Sequence, residues 1–134
     1  VRILVTISRD YPMPERAVRV LMKAIYDPDP GWEQKLAEIL GAHVTVVHGA
    51  YQLDWLLAGA ALALGQRHEP HPADWAGKRK AAGPVRNQEM VDAGADLCLA
   101  FISRGSSGAR DCAAKAEAAG IRTVRYGPEG APQR

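Results

Sequence analysis

The residues best placed to do chemistry lie late in the chain. Gly105-Ser106-Ser107-Gly108 sits between an apolar run, Leu97–Ile102, and a helical segment, Ala109–Ala119, that Gly120 closes. Glycine permits positive φ and lets a ligand approach the backbone closely. The first helical turn then offers unpaired N–H groups and the positive end of a dipole. That is a site for an anion, most often a phosphate. The pattern lacks the Gly-Lys-Ser/Thr of a P-loop and is not Gly-x-Gly-x-x-Gly, so by itself it names no nucleotide motif. A plain strand-to-helix connection reads the same way. Asp111 in that first turn has two readings: an acid that suits the dipole, or an acceptor for a ribose hydroxyl.

Two arginines are the candidate counter-charges. Ser8-Arg9-Asp10 follows the first apolar run, Val1–Ile7. Arg9 carries a planar fork suited to phosphate, and its alternative is a surface ion pair with Asp10 or Glu15. Arg86, just after Gly83-Pro84, reads as lying in the first turn of a helix, where a cation opposes the dipole. It needs an anionic partner, either a ligand or an acid such as Asp111. Asn87 suits a base or ribose edge, or a local cap. Lys78-Arg79-Lys80 reads as a solvated loop or as a cover for a polyphosphate. Trp75 reads as a base-stacking ring or as an anchor for that loop. His68-x-x-His71 has no third ligand spaced for it, so neither metal nor cofactor is expected. His48 reads as a hydrogen-bonded structural histidine, and Cys112 as a packed, inert thiol.

These residues must be positioned by strands alternating with helices. Val1–Ile7, His43–His48, Leu97–Ile102 and Thr123–Tyr126 are β-branched or apolar runs of strand length. Arg67–Pro72 contains prolines, which demote it to an edge strand. Helices are expected over Glu15–Tyr26, Trp32–Leu40, Leu53–Leu64, Val85–Ala93 and Ala109–Ala119, with Ala73–Ala82 as a polar loop. The Leu53, Leu56, Leu57, Ala60, Ala61, Leu64 stripe is a core or dimer face. The alternation predicts an α/β, Rossmann-like domain over residues 1–127: a mostly parallel sheet of about five strands with helices on both faces. Residues 128–134 read as a loose tail. In the usual doubly wound order, Val1–Ile7 and Leu97–Ile102 are neighbours at the topological switch point. Ser8-Arg9 and Ser103–Gly108 then face one crevice.

Composition narrows the partners. The 134 residues carry 17 basic and 15 acidic side chains, a net charge of +2, which gives no electrostatic footprint for nucleic acid. Two cysteines without metal spacing fit a reduced, cytoplasmic protein. The Leu53–Leu64 stretch is too short to span a bilayer, so no membrane partner is expected.

Several segments together carry a family resemblance. They are Thr6-x-Ser8-Arg9-Asp10, His48-Gly49-Ala50, Pro72-Ala73-Asp74-Trp75, Ala82-Gly83-Pro84-Val85-Arg86-Asn87-x-x-Met90 and Gly105-x-x-Gly108-Ala109-x-Asp111. Over nearly the whole chain they resemble the YspA/YpsA-related branch of the SLOG superfamily, which also holds the LOG phosphoribohydrolases and the DprA/Smf proteins. The resemblance implies a Rossmann-like fold that binds a nucleotide or a nucleotide-derived molecule, NAD- or ADP-ribose-like or a nucleoside monophosphate. It implies Ser8, Arg9, Gly49, Ala50, Arg86, Asn87, Gly105, Ser106, Ser107, Gly108, Ala109 and Asp111 as the ligand-facing set, in a homodimer. LOG enzymes cleave the N-glycosidic bond of nucleoside 5′-monophosphates with an Arg from Arg-Lys-x-x-Met and a Glu from Gly-Gly-x-Gly-Thr-x-x-Glu. Arg86 and Met90 match the first segment, and Gly105 and Gly108 the second. The Glu position holds Cys112, and Asp111 sits about 100° away around the helix. Ile7 replaces the usual glycine of the first turn, and Asp54 stands one residue short of the branch's aspartate. A sensor or ligand-capturing protein is therefore the leading expectation. The alternatives are a LOG-like hydrolase with Arg86 and Asp111 as candidate catalytic residues, and an interaction module without ligand.

Overall fold

Arg2–Ile7 forms strand β1, and every residue after Arg2 in it is buried. Such a strand must lie between two neighbours and be covered on both faces. The computed structural model, which describes residues 1–26 and 44–133, shows this arrangement. The elements that follow are α1 (Pro14–Tyr26), β2 (Thr45–His48), α2 (Asp54–Ala63), β3 (Arg67–Pro70), α3 (Trp75–Lys78), α4 (Ala82–Ala93), β4 (Leu97–Phe101), α5 (Gly108–Ala118), β5 (Thr123–Tyr126) and β6 (Pro132–Gln133). The sheet order is β3-β2-β1-β4-β5-β6. The first five strands run parallel, and β6 is antiparallel to β5.

Strand side chains alternate between faces, and the core divides accordingly. Ile3, Val5 and Ile7 of β1 pack with Leu99 and Phe101 against Ala17, Leu21 and Ile25 of α1 and Leu57 and Ala61 of α2. Leu4, on the opposite face, packs with Val47 and Cys98 against Met90 and Val91 of α4 and Cys112 and Ala116 of α5. Each fully buried Leu or Ile contributes about 1.5–3 kcal/mol, so these two layers anchor the sheet. The small residues Ala109, Cys112, Ala113 and Ala116 let α5 lie close to it. Gly120 ends α5 with φ at 79°, and the next N–H, of Ile121, returns 3.0 Å to the Ala116 carbonyl. This is the six-to-one closure that an L side chain would strain.

The Rossmann-like α/β architecture matches the sequence expectation. The sheet has six strands rather than about five, because the tail read as loose supplies β6. Arg67–Pro70 is an edge strand, as its proline required. The polar stretch Ala73–Ala82 folds into α3 and a 3-10 turn, Arg79–Ala81. Asp74 accepts the Gly77 N–H at 2.9 Å and so caps α3, a start signal hidden among charges. Helix α4 begins at Ala82, and Pro84 is tolerated in its first turn, where an N–H has no helical partner anyway. On α2, Leu57 and Ala61 face the core, whereas Leu56 of the expected stripe is 45% exposed. The helix expected over Trp32–Leu40 lies outside the described residues. No helix among the described residues is long and apolar enough to cross a membrane.

Candidate functional site

The chain leaves β1 toward β2 on one side, and β4 lies on the other side of β1. The carboxyl ends of β1 and β4 are therefore the switch point of the sheet, where the diverging connections leave a crevice. A cleft of about 710 Å³ opens there. Ser8, Arg9, Arg86, Asn87, Asp111 and the whole Gly105–Ala109 loop line it, as expected from sequence. Tyr51, Asp54, Trp75 and Lys80 join them. Gly49 and Ala50 do not line it and stand behind its wall.

One wall is built by a serine exchange between strand ends. The Ser8 N–H donates to the Phe101 carbonyl at 2.9 Å, and the Ser103 N–H donates to Ser8 Oγ at 2.9 Å. Ser103 Oγ then donates to Asp10 Oδ1 at 2.6 Å. Asp10 is thus committed to Ser103. Arg9 is exposed, lines the cleft, and has no hydrogen-bond or ion-pair partner among the described residues. The surface pair with Asp10 or Glu15 does not form.

The opposite wall is the start of α5. Ser107 occupies the cap position, and its side chain bonds none of the helix N–H groups. Ser106 Oγ lies 3.4 Å from the Ala109 N–H, a long contact. The N–H groups of Ser107, Gly108 and Arg110 make no backbone hydrogen bond among the described residues. They are the orphan donors of a helix start, which an anion satisfies. A Cβ added at Gly105 or Gly108 would meet nothing within 4 Å, and neither residue has positive φ. Neither conformation nor packing within the protein requires glycine at these two positions.

The floor is a hydrogen-bonded chain across the sheet ends. Arg86 Nη1 donates to the Gly49 carbonyl, and Nε donates to Asn87 Oδ1 at 2.9 Å. Asn87, 3% exposed, donates through Nδ2 to Asp111 Oδ2 at 3.0 Å and to the Gly108 carbonyl at 3.2 Å. With its oxygen on a donor and its nitrogen on two acceptors, the amide orientation is determined. Lys115 Nζ closes the chain at 2.6 Å from Asp111 Oδ2. Because α4 starts at Ala82, Arg86 sits in its second turn rather than its first. The helix dipole, which acts on the first turn, therefore does not call for a ligand anion at Arg86. Its side chain is already directed onto carbonyls, and Asp111 serves Asn87 and Lys115.

Asp54 is the residue that sequence reasoning left out of the site. It is 6% exposed beneath the cleft, and its Oδ2 accepts the Tyr51 N–H at 3.2 Å. Burial pushes its carboxyl up to about 6, against the pull of the Tyr51 and Gly49 N–H groups and of the Arg86 charge. The available signal was Leu53-Asp54 at the start of α2, one turn after Gly49-Ala50. Gly49 has a packing role: a Cβ there would stand 2.7 Å from Arg86 Cζ and 3.1 Å from Asp54 Oδ2. Ala50 holds φ at 56°.

The histidines behind this wall are structural. His48, fully buried, accepts the Ala50 N–H on Nδ1 at 3.0 Å. Its Nε2 therefore carries the proton and donates to His68 Nδ1 at 2.9 Å. Burial, then the neighbouring His68, holds His48 down to about 4, so it stays neutral. His71 pairs with Glu69 at 2.7 Å, so the two histidines of His68-x-x-His71 serve different partners. Cys112 is buried against the second core layer and burial pushes its thiol up to about 11. It presents no nucleophile to the cleft.

No family model matches the chain, and no solved structure matches it. Among curated proteins, the Gene 61 protein of Mycobacterium phage D29 is 51% identical over 59 residues. That match takes in 44% of this chain and 47% of the phage protein, so the chain spans about half the length of the relative it matches.

Proposed function

We propose that this cleft captures a nucleotide or nucleotide-derived molecule through its phosphate, in the manner of the SLOG-type proteins that the sequence resembles. The observation that carries the reading is the glycine-serine loop. It lines the cleft. The N–H groups of Ser107, Gly108 and Arg110 make no backbone hydrogen bond among the described residues, and neither packing nor φ calls for the loop's glycines. A phosphate resting on the Gly105–Gly108 backbone gives both facts a reason. Arg9, uncommitted on the facing wall, supplies the counter-charge, and Lys80 adds a second cation at the rim. Arg86 has a different part: it braces the floor by tying Gly49 to Asn87.

Capture rather than turnover fits the carboxylates. Glycosidic cleavage passes through an oxocarbenium-like state that needs a carboxylate at the anomeric carbon. The matching helix position holds the buried Cys112, and Asp111 is held by Asn87 and Lys115. Exposed Leu56 and Leu62 give α2 an apolar outer surface, which supports a homodimer within this reading.

A thermal-shift screen with AMP, ADP-ribose, NAD, cyclic nucleotides and adenosine tests the proposal. A ligand at about 100 times its Kd adds roughly 2.7 kcal/mol of stability. A phosphorylated compound should shift the transition and adenosine should not. Arg9→Ala should weaken binding about 10- to 100-fold, the range of one charge-assisted hydrogen bond. Equal shifts by AMP and adenosine, or none with any compound, would overturn it.

A further inference from the structure

Two exposed aromatic rings stand in the cleft, and neither the loop nor the floor network gives them work. Trp75 is 48% exposed and Tyr51 is 38% exposed. Both line the cleft, with ring centroids 5.9 Å apart and planes tilted by 51°. Trp75 is the first residue of the four-residue helix α3. Its ring lies over the first turn of α4 at Gly83, where a Cβ would stand 3.4 Å from Trp75 Cη2. The capped turn at Asp74 fixes the backbone beneath it. Large aromatic rings left in water cost free energy that burial would recover. Here Trp75 rests on the first turn of α4, Tyr51 lies beside it, and both remain open to the same cleft that the Gly105–Gly108 loop lines.

We infer that Trp75, with Tyr51 beside it, is the stacking wall for an aromatic base, so that the ligand is a nucleoside phosphate with its base on Trp75 and its phosphate at the Gly105–Gly108 loop. This rests on the capture reading above and deepens it. Recognition by a ring face has a defined selectivity. Stacking accepts any aromatic base because each has a π face, and it favours the larger purines. It rejects a saturated ring of the same outline. The Trp75 face is therefore a filter for aromaticity rather than for a hydrogen-bonding pattern.

Isothermal titration with AMP, UMP, dihydrouridine 5′-monophosphate and ribose 5-phosphate tests this, on the whole chain and on Trp75→Ala and Trp75→Phe. AMP should bind about 5- to 150-fold more tightly than ribose 5-phosphate, the span that one base–aromatic stack covers. UMP should fall between, and dihydrouridine 5′-monophosphate should match ribose 5-phosphate. Trp75→Ala should erase the AMP advantage while ribose 5-phosphate binds as before, and Trp75→Phe should keep most of it. AMP should quench tryptophan fluorescence in the parent chain, whereas ribose 5-phosphate should not. If ribose 5-phosphate equals AMP, or if Trp75→Ala binds AMP as the parent does, the stacking inference fails while the phosphate reading stands. If none of the four phosphates binds, the stacking inference fails, and the capture reading fails with it when ADP-ribose and NAD also leave the thermal transition unmoved.

Discussion

Asp54→Asn should stabilise the protein at neutral pH and change how its stability depends on pH. Burial lifts the Asp54 carboxyl from its ordinary 3.8 to about 6. The folded state then holds that proton more tightly than the unfolded chain does. The contribution is fully present below pH 3.8 and is lost as pH rises through about 6. The gap of 6 − 3.8 = 2.2 pH units, at about 1.36 kcal/mol each, is ~3 kcal/mol. An amide cannot ionise, so the substitution removes this loss, and Asn Oδ1 still accepts the Tyr51 N–H. His48 works in the opposite direction. Held at about 4 instead of 6.5, it contributes stability that is fully present above pH 6.5 and lost as pH falls through about 4. In the parent chain the two slopes oppose each other over nearly the same window. In Asp54→Asn the His48 slope is no longer opposed, and stability should climb by ~3 kcal/mol between about pH 4 and pH 6.5. Urea unfolding followed by circular dichroism, repeated from about pH 4 to about pH 7.5, measures both curves. A variant less stable than the parent by the same margin at both ends would refute the reasoning. It would mean that the ionised carboxylate is held for Arg86 and is not disfavoured by burial.

Three further perturbations probe the same wall and the core behind it. Gly49→Ala places a methyl on the Arg86 guanidinium and should cost about 2–4 kcal/mol, one or two charge-assisted hydrogen bonds, by denaturant titration; parent-like stability would sink the packing account of Gly49. Ala50→Gly should stabilise by roughly 0.5–1 kcal/mol, because φ at 56° strains an L residue and not glycine; a lower midpoint would count against that strain. Cys98 and Cys112, both buried with their thiols pushed up, should resist Ellman's reagent until the protein unfolds; fast reaction of either in the native state would contradict the core assignment.

The sheet was legible because its signal is local. Leu97–Ile102 is a continuous apolar run and Val1–Ile7 is β-branched and apolar but for Arg2 and Thr6, and such stretches are covered on both faces, which makes them central strands. Their adjacency then followed from the usual doubly wound order, and the cleft followed from their adjacency. The orientation of α2 was less legible. Leucines and alanines cover more than one face of it, so spacing alone does not say which arc turns inward. The buried arc runs through Asp54, Leu57, Ala58 and Ala61, and a charged residue at its head disguises it. Two contacts hold Asp54 on that arc, one local, the Tyr51 N–H three residues before it, and one tertiary, the Arg86 guanidinium arriving from α4. The start of α4 was misplaced for a related reason. Gly83-Pro84 is a strong local start signal, but the helix begins at Ala82, three residues before the expected Val85, with Ala82 in the core, and this moves Arg86 into the second turn.

The same residue type stands at three expected site positions, and the structure separates them. Gly49, Gly105 and Gly108 all entered the expected ligand-facing set, Gly105 and Gly108 as backbone a ligand approaches and Gly49 through the family resemblance alone. At Gly49 the approaching group belongs to the protein: the Arg86 guanidinium occupies the space a side chain would need. Only that contact, invisible in sequence because Arg86 is far along the chain, explains the glycine. At Gly105 and Gly108 the corresponding space is empty and φ is negative, so the protein itself supplies no reason. Under the capture proposal, a ligand approaching the backbone is what calls for glycine on either side of Ser106-Ser107, next to the unengaged N–H groups of Ser107, Gly108 and Arg110. Alanine at Gly105 or Gly108 should therefore leave the fold intact and weaken only phosphate-dependent binding, whereas alanine at Gly49 should unsettle the fold first. A chain in which Gly105→Ala and Gly108→Ala both bind AMP as the parent does would leave the loop an ordinary connection between β4 and α5.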